Sequence, residues 1–250
     1  MSASDARFSG QGLEALRMIF IVDAGNRRLF QPDLDEMHRQ RKAVFVDRIG
    51  WRLPTTKDAE IDSYDRVDTV YLLAKKRPQG PLLASVRLLR TTGPHLLSEL
   101  LLPASQGAPL RGPHIWEVSR FCISPQVVGR RVRIALFAEV VCGVLETGLL
   151  FGLERVTLAA NAALLPLVLR CGWRSAPIGP TLPDGADEVT AVAALIEPEG
   201  LRRVRMRFGA PAPITRYIDA SWPAALDSTA YHRGASPQPP ARIPTPIRTQ

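Results

Sequence analysis

A glutamate and an arginine, Glu117 and Arg120, interrupt a segment that otherwise alternates like a β-strand, Ile115–Ile123 (IWEVSRFCI). Arg87 lies inside a second apolar run, Leu82–Leu89 (LLASVRLL). Charge within a strand is costly to bury unless it is paired, so these residues demand partners. Carboxylates set beside arginines act as proton acceptors or as structural counter-ions, and for Glu117 a pairing with Arg87 or Arg120 would be the structural option. Upstream, a glycine-free acidic segment after Trp51 holds Asp58, Glu60, Asp62 and Asp65. Asp62 and Asp65 can hydrogen-bond a cationic ligand, orient Arg41 and Arg87, or form an exposed acidic loop. Trp51 and Phe45 offer aromatic faces to a cation, an attraction of about 0.5–2 kcal/mol, although Phe45 also suits simple core packing.

A different chemistry is available at Gln126-Val127-Val128-Gly129-Arg130-Arg131, a glycine-bearing junction between a strand and a helix. Backbone N–H groups at such a junction, helped by the helix dipole, bind phosphate or pyrophosphate, and Arg130, Arg131 and Arg133 add positive charge. A solvated basic first turn is the alternative. His38, His95, His114 and His232 have no ligand spacing, Ser119 lacks an adjacent base, and Cys122 sits in an apolar segment as an inert thiol.

The elements that must position these groups alternate between strand and helix. Arg17–Asp23 is a short β-branched run, and Pro32 opens a helix with Leu34, Met37, Val44 and Phe45 on its apolar side. Thr69–Ala74 and Leu82–Leu89 flank the turn RPQG as an antiparallel hairpin. Alternation through 115–123 puts Glu117, Ser119 and Phe121 on one face, with Trp116, Val118 and Arg120 on the other. A long helix follows Pro125, then a strand in ERVTLAAN, a short helix at Leu164–Arg170, an edge segment, and a last strand at Glu188–Ile196. The order predicts an α/β protein in which helices cover both sides of a central mixed sheet.

Composition narrows the setting. The 250 residues carry 32 basic and 24 acidic side chains, a net charge of +8, with 46% apolar residues, which excludes a disordered or collagen-like chain. Residues 1–16 read as a flexible leader, 17–220 as one domain, and 221–250 as a proline-rich tail unable to bury enough apolar surface to order itself. Three cysteines without pairing or metal spacing, no secretory signal and no apolar run near the 18–20 residues of a membrane span predict a cytoplasmic protein with no metal and no membrane partner.

The pattern Arg41-x3-Phe45-x5-Trp51-x10-Asp62-x2-Asp65, then Arg87, Thr91-Thr92-Gly93-Pro94 and Ile115-Trp116-Glu117-Val118-Ser119-Arg120-Phe121, resembles the acyl-homoserine-lactone synthases, the LuxI-type autoinducer synthases. The similarity runs from about Met18 to Phe208 and includes LLPLVLRCGW at 164–173. The junction at 126–131 is similar to the Q/R-x-x-G-x-G/A loop with which GNAT acyltransferases hold a phosphopantetheine arm, with Arg131 where that pattern has Gly or Ala. Two further positions depart from the family. Leu101 stands where members carry Phe on the acyl-facing wall, and Ala160 stands near a Thr associated with 3-oxo chains, which implies an unsubstituted chain.

The resemblance implies a GNAT-like three-layer α-β-α sandwich with a central mixed sheet. It also implies an acyltransferase of quorum sensing that joins an acyl chain to the amine of S-adenosylmethionine, closes a lactone and releases methylthioadenosine. Glu117 would then be the general base, with Arg120, Asp62, Asp65 and Arg87 as its catalytic companions. Arg41, Phe45, Trp51, Leu101 and Ala160 would line the substrate sites, and Arg130, Arg131 and Arg133 would dock the acyl donor. S-adenosylmethionine and the acyl thioester are substrates, and no separate cofactor is implied.

Further basic residues, Arg155, Arg170, Arg174 and the run Arg202–Arg207, extend the donor surface, which suits an acidic acyl carrier protein or an acyl-CoA. Sequence leaves donor and oligomeric state open. A GNAT N-acyltransferase using acyl-CoA on another amine is the nearest alternative. A nucleic-acid partner is disfavoured, since aromatic residues total 6% and no recognition motif is present.

Overall fold

A computed structural model describes residues 18–100, 110–184, 187–210 and 213–219, so the leader 1–16, the tail 221–250 and Leu101 lie outside the described residues. The chain begins with strand β1 (Met18–Val22), a 3-10 turn (Arg27–Phe30) and helix α1 (Gln31–Arg41), which runs into a π-helical turn (Lys42–Arg48). A two-stranded ribbon, β2 (Thr55–Thr56) with β3 (Ala59–Glu60), precedes β4 (Val70–Lys75), β5 (Leu82–Arg90) and the short helix α2 (Leu96–Leu100). Then come β6 (Ile115–Ile123), α3 (Arg130–Leu150), β7 (Arg155–Asn161), α4 (Leu165–Arg170), β8 (Ser175–Asp184), β9 (Asp187–Leu195), α5 (Pro198–Phe208) and β10 (Thr215–Tyr217).

Eight strands form one sheet in the order β10-β1-β4-β5-β6-β7-β9-β8, parallel at β1/β10 and β6/β7 and antiparallel elsewhere. Sequence reading ended the sheet at 188–196. The chain instead continues through α5 and returns as β10 beside β1, where the Glu146 carboxylate accepts hydrogen bonds from the backbone of Ile214 and Thr215. The edge strand β8 carries Pro177, Pro180 and Pro183, which lack the N–H groups that another strand would pair with.

Both sheet faces are covered. Ile19, Ile21, Leu72, Val86, Leu88, Trp116, Val156 and Val192 pack with α3, α4 and α5 on one face. Phe20, Val22, Tyr71 and Leu73 pack with Phe30, Leu34 and Met37 of the first helical segment on the other. The long helix α3 is buried almost continuously from Leu136 to Leu145, and a Cβ placed on its Gly143 would stand 2.9 Å from Ile19. That close approach lets the helix lie directly on the sheet, and a larger residue there would push it away.

Two local features shape the functional side. First, β6 contains a β-bulge: Arg87 pairs with Ser119 and Ser85 with Cys122, so three steps on β6 oppose two on β5. Arg120, at φ +53°, is the extra residue. The bulge overturns the simple alternation expected from sequence. Arg120 turns to the face of Glu117 and Ser119, while Phe121 turns to the α3 face, where its ring meets Phe137 edge-on at 5.7 Å. Second, β6 and β7 are in register from Ile115–Arg155 to Val118–Leu158 only, although both strands continue. Beyond that point, at Ser119–Arg120 and Ala159–Ala160, the two strands are no longer paired.

Candidate active site

On the α1 face of the sheet, three arginines meet three carboxylates. Arg41, at the end of α1, gives its Nε to Glu60 at 2.5 Å and both Nη atoms to the two oxygens of Asp65 at 2.8 Å. Arg87, from mid-β5, gives Nη1 to Asp62 and Asp65, Nη2 to Asp62, and Nε to the Ser119 hydroxyl at 3.0 Å. Arg120 gives Nε and Nη2 to Glu60 and Nη2 also to Asp62 at 2.8 Å. The Tyr71 hydroxyl donates to Asp65 at 2.7 Å, and Asp65 accepts the backbone N–H of Asp62 at 2.9 Å. Almost every donor is matched by an acceptor, as a buried charged network requires.

The network sets its own electrostatics. Burial opposes ionisation of Asp65, but hydrogen bonds and charge from Arg41, with the charge of Arg87, override it and hold the carboxyl well below the usual carboxylate range. Burial likewise opposes the charge on Arg41, and its bonds to Asp65 and Glu60 outweigh that and raise it. Nη1 of Arg120 makes no hydrogen bond among the described residues, whereas all three guanidinium nitrogens of Arg41 and of Arg87 are engaged.

Glu117 stands apart from this network. It is 1% exposed and lies in register with Leu89 on β5 and Thr157 on β7. Its carboxylate accepts the backbone N–H groups of Leu96 at 3.1 Å and Leu97 at 2.7 Å, the first residues of α2. The ion pair with Arg87 or Arg120 foreseen as its structural alternative is not formed. Burial raises its pKa to about 7, while the two N–H bonds and the charges of Arg87 and Arg120 pull in the opposite direction. A carboxyl in this state changes protonation near neutrality, which suits proton transfer.

The aromatic pair forms a wall beside the network. Phe45, turned inward by the π-helical segment, stacks on Trp51 with centroids 5.0 Å apart and planes 7° from parallel. Arg120 lies 5.9 Å over the Phe45 ring. A π-helical turn next to a polar site is a recurrent functional device, because it redirects one side chain without ending the helix.

Placement differs from expectation at three points. Ala160 is fully buried and points into the α3-side core, and the residue of β7 on the face of Glu117 is Thr157, whose buried hydroxyl has no hydrogen-bond partner. Arg130 and Arg131 are exposed on the first turn of α3 behind Gly129, at φ +92°, while Arg133 turns back to the Val127 carbonyl at 3.5 Å. Several arginines assigned to the same surface are neutralised locally: Arg174 by Glu197, Arg202 and Arg203 by Glu199, and Arg205 by Glu146.

Glu60 and Ser119 are site residues that sequence reasoning passed over. Charge balance was the available signal for Glu60: three arginines faced two assigned aspartates, so one further carboxylate was required. Among the described residues no group of three or more His, Cys, Asp and Glu side chains is arranged to hold a metal. No described helix is long and apolar enough to cross a membrane.

A mixed sheet whose parallel strands β6 and β7 stop pairing beyond Val118–Leu158, with a near-neutral carboxylate on β6 and a glycine-led helix start following it, is the arrangement of an acyltransferase of GNAT-like fold. The chain belongs to the autoinducer synthase family, whose model matches residues 26–204. It is 34% identical over 160 residues to an acyl-homoserine-lactone synthase of Rhizobium etli, covering 64% of this chain and 74% of the relative. A CoA-dependent acyl-homoserine lactone synthase, BjaI, solved with SAM and isopentyl-CoA, superposes with a TM-score of 0.72 at 30% identity, covering 82% of this chain and 95% of that one. A Lactobacillus plantarum chain assigned to the N-acetyltransferases, at 14% identity and a TM-score of 0.50 over 72% of this chain and 99% of its own, shares the fold alone. The protein is thus an acyltransferase that makes acyl-homoserine lactones, the autoinducers of quorum sensing.

Proposed function

We propose that Glu117 takes the proton from the α-amine of S-adenosylmethionine, freeing the lone pair that attacks the acyl thioester. The N–C bond forms as the C–S bond breaks, and the thiolate leaves and takes up a proton. The observation that carries this assignment is the division of carboxylates: Asp62, Asp65 and Glu60 are committed to arginines, and Glu117 is the buried carboxylate of the site without a guanidinium. Arg41 and Arg87, with their donors engaged, hold the carboxylates in place. Arg120, through its open Nη1, is the arginine suited to the methionine carboxylate. Trp51 and Phe45 offer their stacked edge to the adenine or the sulfonium.

Lactone closure makes a weaker demand on the protein. The carboxylate oxygen attacks the γ-carbon as neutral methylthioadenosine departs from a sulfonium, so in-line positioning is enough and no protein acid is required. The acyl thioester would enter where β6 and β7 part, its phosphopantetheine arm passing the Gly129 turn toward Arg130 and Arg131. Arg133, half-buried and directed at the loop carbonyl, would shape that turn. Acyl-CoA and acyl carrier protein present the same arm. The solved relative with isopentyl-CoA supports CoA, and the exposed positive turn supports either donor.

Three free, buried cysteines and a nucleotide-derived acceptor support a cytoplasmic site of synthesis. The assignment is tested by supplying S-adenosylmethionine with matched panels of acyl-CoA and acyl-carrier-protein donors and measuring methylthioadenosine and free thiol. Equimolar release of both with one panel identifies the donor. Thiol release without methylthioadenosine, on a different amine, would instead identify a plain N-acyltransferase.

A further inference from the structure

Four residues in register form one row across the sheet: Leu89 of β5, Glu117 of β6, Thr157 of β7 and Ala193 of β9. The chain neighbours of Thr157, Val156 and Leu158, belong to the α3-side core, so Thr157 itself serves the opposite face, that of Glu117. It is 1% exposed, and its hydroxyl has no hydrogen-bond partner among the described residues. Along the row its two neighbours are Ala193, which is apolar, and Glu117. The hydroxyl of Ser119, by contrast, is committed to Arg87 at 3.0 Å.

A buried hydroxyl without a partner is costly, and valine would fill the same space without that cost. The Glu117 carboxylate accepts Leu96 on one oxygen and Leu97 on the other, and it is not hydrogen-bonded to Thr157. Neighbouring strands run about 4.8 Å apart, a separation that one nitrogen at about 2.9 Å from each group would span. Both flanking groups are acceptors, which suits a ligand atom with several N–H donors. They lie beneath α2, which packs on this face through Leu97 against Ala159 and Ala191, so the ligand reaches them as that small contact gives way.

We infer that Thr157 is a substrate-binding residue whose hydroxyl oxygen accepts one N–H of the S-adenosylmethionine ammonium while Glu117 takes the proton of another. The inference rests on Glu117 being the base. As that proton passes to Glu117, the N–H held by Thr157 keeps the nitrogen in place while its freed lone pair turns to the thioester carbon. A second carboxylate at this position would stabilise the ammonium and hinder the loss of its proton, whereas a neutral hydroxyl orients it at far smaller cost.

The test compares two ligands of the full chain by calorimetry: S-adenosylmethionine, and methylthioadenosine, which shares its nucleoside and lacks its amine. Thr157→Val replaces the hydroxyl by a methyl of the same shape, and since that hydroxyl has no partner in the protein, the urea midpoint does not fall. The Kd for S-adenosylmethionine rises about tenfold, while that for methylthioadenosine is unchanged. Thr157→Ser, which keeps a hydroxyl, restores most of the affinity.

Unchanged affinity for S-adenosylmethionine, an equal loss for both ligands, or a lower urea midpoint in Thr157→Val overturns the inference. Full turnover in Glu117→Gln would overturn the base assignment instead. The ligand comparison needs no turnover, so the two failures are distinguishable.

Discussion

Two sets of buried carboxylates share one face of the sheet and have opposite fates. Glu60, Asp62 and Asp65 are each bonded to at least two of the three arginines Arg41, Arg87 and Arg120 or, for Asp65, to two of them and Tyr71. Glu117, on β6, accepts only two backbone N–H groups among the described residues. Burial acts on both sets in the same direction. The difference lies in what compensates it: full guanidinium charge holds Asp65 down, whereas peptide dipoles leave Glu117 near 7. One region fixes geometry and the other can move a proton, and environments that push carboxylate pKa values apart are how a single site supplies both.

Removing an arginine breaks the comparison most severely. Arg87→Met leaves Asp62 and Asp65 short of their shared guanidinium while still buried, and removal of one partner from a buried ion pair costs about 3–5 kcal/mol. Urea unfolding should show that loss, and turnover should fall with it. Arg87→Lys should rescue little, since one ammonium cannot reproduce the fork that meets Asp62, Asp65 and Ser119 together. Unchanged stability in Arg87→Met would show that the network contributes no net energy to the fold.

The next effect separates function from fold. Glu117→Gln keeps an oxygen for the α2 N–H groups and removes the titrating proton, so turnover should fall by about 10²–10⁴-fold while the folded state survives. The sign of the pH effect on stability differs between the two regions. Glu117 has a folded pKa above its ordinary value, so the folded state binds the extra proton and stability is lost as pH rises from the ordinary carboxylate range through about 7. Asp65 has a depressed pKa, so its contribution is present above the ordinary carboxylate range and is lost as the solution is acidified below it. Unfolding measured across pH in wild type and Glu117→Gln should remove the first slope and keep the second.

How far the sequence could foresee this follows from which interactions are local. The hairpin of β4 and β5, the strand β6 and the helix α3 are visible in the alternation and helical spacing of their own residues. Arg41, Arg87, Arg120, Asp62 and Asp65 stood out because charge within apolar segments needs partners, and the structure brings all five together. The bulge at Arg120 was illegible: it depends on pairing with β5, and alternation alone sent that side chain to the wrong face. Ala160 was assigned to the substrate through the family resemblance alone, and it lies in the α3-side core. The short strand β10 has too few residues to carry a period and exists because Glu146 and β1 receive it.

The smallest expected effect concerns arginines that pair with no carboxylate among the described residues. Arg130 and Arg131 stand in solvent at the start of α3, where positive charge is opposed by the helix dipole and contributes nothing to the fold. The proposed role of these residues is to attract the acyl donor. An anionic donor approaching this turn would feel them at long range, so Arg130→Ser with Arg131→Ser should raise the KM for the donor by about three- to tenfold and leave kcat unchanged. The dependence of kcat/KM on ionic strength should flatten in parallel, because screening can remove only the attraction that remains. Substituting Arg174 and Arg202 instead should do much less, since Glu197 and Glu199 already neutralise them. Equal effects from the two pairs would mean that the donor reads total charge, and that the distinction between paired and unpaired arginines holds only inside the protein.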